Sequence, residues 1–106
     1  MSGVSRLDLL QRMLEKDPQD AFCRYGLAHE YAKVGRFDEA IRWFDAAIEA
    51  DKDYCYAYYH KAKALLESSQ RDAAAATLRA GLVRAEAIGD AHAAAEIHSL
   101  LDEVDS

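Results

Sequence analysis

Phe22, Tyr25 and His29 recur at i, i+3 and i+7, the spacing that sets side chains along one stripe of an α-helix. They lie off a second stripe, made by Leu27, Ala28 and Tyr31. A helix that is aromatic on two faces spends one on its core and leaves the other for packing between helices or for binding. Tyrosine and histidine suit binding at a wet surface, because each joins an apolar body to a polar tip. Other chemistry is poorly supplied. Cys23 and Cys55 lie far apart with no CxxC pair, and are read as buried, reduced core residues. His92 and His98 are six apart, hence on different helix faces, and form no HExxH pair; both are read as facing solvent. No serine or cysteine sits on a glycine-flanked elbow, and no glycine-rich phosphate loop is present. No catalytic centre and no cofactor are expected.

The elements that would carry these rings are helices. The chain has 106 residues, 51% of them hydrophobic and 30% charged, with five glycines and one proline. Helix breakers are therefore scarce, alanine is abundant, and one all-α domain is the expectation. Nineteen acidic residues against thirteen basic give a net charge of −6. The arginines Arg6, Arg12, Arg36, Arg42, Arg79 and Arg84 are scattered among carboxylates, so no basic face is available for nucleic acid or for an anionic membrane. The stretch MSGVSRLDLLQRML has no long apolar core and is not expected to be a signal peptide. No run approaches the ~18 apolar residues of a membrane span, and cytoplasm is the expected compartment.

Ser5 is placed to cap a first helix, with Asp8 three residues on, and Leu7, Leu10, Met13 and Leu14 recur on one face up to Asp17-Pro18, where the helix must stop. Residues 1 to 4 are expected to fray. A second stripe, Cys23, Leu27, Ala28, Tyr31 and Val34, runs to Gly35. A third, Phe37, Ala40, Ile41, Phe44, Ala47 and Ile48, follows at once, with Asp38 and Glu39 in its first turn. So short a connection makes the two helices an antiparallel hairpin.

Shifted by 34 positions the pattern returns: Ala28 falls on Ala62, Tyr31 on Leu65, Asp38 on Asp72, Ala40 on Ala74, Phe44 on Leu78 and Ile48 on Leu82. In this the chain resembles the tetratricopeptide repeat family, whose unit is a helix-turn-helix of 34 residues. Leu27-Ala28, Tyr31, Gly35, Phe37, Ala40, Phe44 and Ala47 stand at that family's signature positions, and Pro18 at a preceding unit's terminal proline. A second unit departs from the pattern at Lys61, Ser69, Arg71 and Gly81, and Lys52 stands where a closing proline would be. Gly81 in mid-helix reads as a point of close approach. The resemblance implies a right-handed α-α superhelix of about six antiparallel helices: an N-terminal helix at 5–17, repeats at 21–54 and 55–88, and a capping helix at 90–104. That last helix would bury Ala93 or Ala94, Ile97, Leu100 or Leu101, and Val104.

In that family the first helices of the units line a concave groove, at the second, fifth, ninth and twelfth or thirteenth positions. Carried onto this sequence, these are Phe22, Tyr25, His29 and Ala32 or Lys33, then Tyr56, Tyr59, Lys63 and Leu66 or Glu67, with His60 beside them. The resemblance implies an interaction module that binds a protein or peptide there. A bland alternative is that these rings only fill space on and between the helices. One groove type in the family clamps a terminal carboxylate with Lys and Asn at the fifth and ninth positions; Tyr25 and His29 stand there instead, so that ligand is not expected. His29 and His60 on one groove invite a metal, but a site needs three or four donors and no such set converges by spacing. A homodimer through an exposed helical face, around Trp43 or the last helix, is the alternative function.

Overall fold

The computed structural model describes residues 5–105, which form six helices and no strand. These are α1 (Arg6–Lys16), α2 (Ala21–Lys33), α3 (Phe37–Ala50), α4 (Cys55–Glu67), α5 (Arg71–Ile88) and α6 (Ala91–Asp105). The expectation for residues 1 to 4 lies outside the described residues. Each helix packs on the next in sequence, and α4 also touches α6. Extents of 46 × 29 × 20 Å follow from that neighbour-by-neighbour stacking.

Local signals set the helix ends. The Ser5 hydroxyl accepts from the Asp8 amide at 3.1 Å, and the Asp20 and Asp90 carboxylates accept from the Cys23 and Ala93 amides at 3.1 and 3.0 Å. Each supplies a partner for an amide with none inside the helix. Gly35 closes the first hairpin with φ +81°, and Ser69 takes the same left-handed conformation, φ +62°, in the second.

Ala28, Ala40, Phe44, Ala47, Ala57 and Ala64 form one buried cluster, and Cys55, Ala62, Leu65, Ala74, Leu78, Ala85, Ala93, Ile97 and Val104 build the next. Ile41 packs against both. Alanine dominates where helices cross, since its size lets backbones approach closely. On α6 the buried choice falls to Ala93, with Ala94 half-buried.

Two stripe residues depart from the expected pattern. Met13 is 48% exposed, because α1 is covered on one side only, by α2, and that contact centres on Leu10. Val34 is 70% exposed, because α2 ends at Lys33 and the non-helical backbone at Val34 takes it off the stripe.

The departures in the second unit are compensated. Lys61 lays its stem between the helices and sets its ammonium 2.6 Å from Asp45 on α3. Arg71 donates to the Glu103 carbonyl on α6 at 3.3 Å. Trp43 is half-buried against the first cluster.

Candidate peptide-binding groove

α2, capped by Asp20, and α4, which follows the turn at Tyr54, bring most of the predicted rings together. Tyr25 and His29 meet edge to face with centroids 4.6 Å apart. His29 meets His60 of α4 at 4.4 Å, and His60 meets Tyr59 at 5.0 Å. Tyr59 continues to Tyr56 at 6.3 Å, and the Lys63 ammonium lies over the Tyr59 ring at 5.4 Å. These edge-on arrangements suit the ring quadrupoles. Two predicted residues stand apart. Phe22 is 57% exposed and makes no ring contact with a described residue, while Lys33 turns to Glu30 at 3.6 Å.

Beside this run lies a cleft of about 330 Å³, lined by His29, Ala32, Phe37, Phe44, His60, Lys63, Ala64 and Glu67. Phe22, Tyr25, Lys33, Tyr56 and Tyr59 are not among its walls. Tyr25, Tyr56 and Tyr59 are half-buried against the core clusters, and Tyr25 and Tyr59 touch the cleft-lining histidines. Phe37 and Phe44 were legible in the sequence only as core residues. Phe44 is 1% exposed, yet its ring also meets Tyr25 at 5.8 Å and His29 at 5.4 Å, forming the cleft floor. Tyr54, which stacks on Tyr25 at 4.7 Å, carries no periodic signal because it lies in the turn before α4.

The cleft floor is uncharged near neutral pH. Burial lowers the His60 pKa to about 4, helped by His29 and Lys63. His29 is lowered too, first by burial, then by Arg6 and Lys33 against the opposing pull of Glu30. Burial beside Tyr54 and Tyr56 pushes Tyr25 up to about 12, so it remains a phenol. Charge is left to the rim, where Lys63 and Glu67 reach the cleft without an ion pair between them. The surface is therefore apolar, with neutral hydrogen-bonding tips.

Among the described residues no three His, Cys, Asp or Glu side chains come together as metal donors. Cys23 and Cys55 are 0% and 3% exposed, and burial raises both thiols, which makes them poor nucleophiles. His92 and His98 stand in solvent beside Glu96 and Asp102. No described helix is long and apolar enough to cross a membrane.

Known proteins share this architecture. The TPR2B domain of yeast Sti1, in its complex with pHsp70, matches with a TM-score of 0.87 at 28% identity, over 93% of this chain and 79% of that one. A tetratricopeptide repeat domain protein from Salinibacter ruber matches at 0.77 and 31% identity, over 83% and 89%. A protein from Bordetella parapertussis matches at 0.83 and 25% identity, over 97% and 90%. The comparison with curated protein sequences gives no match. The sequence model of the tetratricopeptide repeat matches residues 7–66, from α1 almost to the end of α4. With the repeat model spanning more than half of the chain and the six helices superposing on solved repeat domains, the chain belongs to the tetratricopeptide repeat family.

Proposed function

We propose that this chain is a protein-interaction module that holds a segment of a partner protein in the groove between α2 and α4 and has no catalytic centre of its own. The organisation that fits is an N-terminal helix at 5–17, repeats at 21–54 and 55–88, and a cap at 90–104. The observation that carries the reading is the cleft itself, where Phe37 and Phe44 are apolar and His29 and His60 uncharged while Lys63 and Glu67 mark its edge. Such a site anchors one or two apolar side chains and leaves the flanking backbone to the polar tips. The yeast Sti1 domain, at 28% identity, is seen in a complex with pHsp70, which supports a protein ligand. Tyr25 and His29 in place of a Lys and Asn pair argue for an apolar anchor rather than a clamped terminal carboxylate.

Panning the whole chain against a phage-displayed library of random linear peptides tests this. The expectation is a set of binders sharing an apolar residue, whose binding falls at least tenfold with Lys63→Glu combined with Tyr59→Ala, which reverses the charge on the cleft rim and removes the ring that the Lys63 ammonium lies over. Binders that hold that variant equally well, with its helical spectrum intact, would place the site elsewhere. Self-association is the second reading, favoured by Leu9 and Met13, which are 50% and 48% exposed one turn apart on α1. Light scattering that finds a strict monomer removes it.

A further inference from the structure

His29 and His60 are half-buried on helices from different repeats, with ring centroids 4.4 Å apart and planes at 66°. Around them stand Tyr25, Phe44 and Tyr59. Neither imidazole takes part in a hydrogen bond or ion pair with a described residue. No buried side-chain nitrogen or oxygen lacks a partner among the described residues, so the ring nitrogens open to the cleft rather than to an enclosed void. A proton therefore reaches them easily, yet neither ring has a carboxylate bonded to it.

The groups facing the pair give the same answer from every side. From α1 comes Arg6, and from α2 Tyr25, Glu30 and Lys33. Glu30 is already held by Arg6 at 3.2 Å and Lys33 at 3.6 Å. From α3 come only Phe37 and Phe44, and from α4 Tyr59, Lys63 and Glu67. Glu67 lies on the cleft rim without an ion pair to either ring. A second proton would set two like charges side by side in this surrounding.

We propose that the His29–His60 contact is an acid-operated joint: with both rings neutral it closes α2 against α4 at the cleft, and protonation drives the rings apart and opens that wall. The joint goes beyond peptide binding and does not rest on it. Its sign follows from linkage. Both histidines hold their protons less tightly in the folded chain than in the unfolded one, His60 down to about 4. The stability they contribute is present above about pH 6.5, and is lost as pH falls from there through the folded value. After discounting for solvent access to a half-buried ring, the folding constant drops about tenfold between pH 7 and pH 5 on account of His60.

Long-range proton–nitrogen spectra of the imidazoles in the full chain, taken with nuclear Overhauser spectra from about pH 7.5 to about pH 3, test the joint directly. Two rings should protonate below the ordinary histidine value, and the nuclear Overhauser cross-peaks between them should vanish as they do so, while helical circular dichroism persists. Titration at the ordinary value, cross-peaks that survive protonation, or loss of the helical signal at the same pH would each overturn it. Urea unfolding at pH 7 and pH 5 gives a second reading, in which His60→Gln should reduce the acid-induced drop in the folding constant about tenfold. An equal drop in the variant would sink the proposal, and the wild-type spectra decide the question if that variant fails to fold.

Discussion

Gly81 of α5 lies directly against Tyr58 of α4: a Cβ on the glycine would stand 2.6 Å from the tyrosine Cβ and 3.0 Å from its Cγ. Replacing a mid-helix glycine by alanine ordinarily stabilises by about 1 kcal/mol. Here the added methyl meets an atom that no rotamer change can withdraw, so Gly81→Ala should instead lose about 1–3 kcal/mol, seen as a lower midpoint in urea. Tyr58→Ala should not rescue it, because the colliding Cβ remains. A double variant as stable as Tyr58→Ala alone would show that the helices separate freely at this point.

The two hairpin turns make a matched pair for a second prediction. Gly35 and Ser69 both carry left-handed backbone, φ +81° and +62°, which disfavours any side chain. Open space surrounds the position of a Cβ at Gly35, so the backbone term stands nearly alone there. Ser69→Gly should gain about 0.5–1 kcal/mol and Gly35→Ser should lose a similar amount, the glycine's larger unfolded-state entropy taking back part of the difference. Equilibrium unfolding of the two single variants checks the opposite signs.

These two contrasts also mark how far the sequence carries. Period and capping chemistry gave the helices, because Leu27, Ala28, Ala40 and Phe44 repeat at the spacing of one buried face and Ser5 and Asp90 cap locally. The cost of a glycine in mid-helix marked Gly81 as a close approach. Period assigns a residue to a face but not to a depth, so Phe44 read as core while its ring also floors the cleft. Met13 read as core because its spacing is right, and only the one-sided cover of α1 exposes it. Lys61 looked like a broken core position, and its partner Asp45 could come only from the packing of α4 on α3. Arg24 gave no signal at all.

Arg24 is the least expected tether in the chain. Its side chain is only 12% exposed, and its guanidinium donates to the Pro18 carbonyl at 2.9 and 2.7 Å and to the Ala46 carbonyl at 2.7 Å. It thus ties the turn after α1 to α3 through a planar fork that lysine cannot reproduce. Arg24→Lys should cost about 1–3 kcal/mol by leaving carbonyls without their charged donor. Glu49, 4.0 Å from the same guanidinium but 85% exposed, should matter little, with Glu49→Gln staying within about 0.5 kcal/mol. Similar losses for the two variants in thermal unfolding would mean the ion pair, rather than the carbonyl fork, holds the turn.

Phe22 and Tyr25 lie on one stripe of α2 but should respond in opposite ways to truncation. Tyr25 stacks on Tyr54 at 4.7 Å with planes at 29° and meets Phe44, His29 and His60 edge-on. Tyr25→Ala therefore removes a ring that joins α2, α3, α4 and the turn before α4, and should cost about 2–4 kcal/mol of stability. Phe22, at 57% exposed and without a ring contact among the described residues, should lose under about 0.5 kcal/mol on truncation to alanine. A loss of partner binding in Tyr25→Ala would thus mix recognition with a weakened framework, whereas the same loss in Phe22→Ala would report contact with the ligand. Urea midpoints of the two variants, measured before any binding assay, separate these cases. Equal midpoints would mean that the Tyr25 ring cluster contributes nothing to the joint between the repeats.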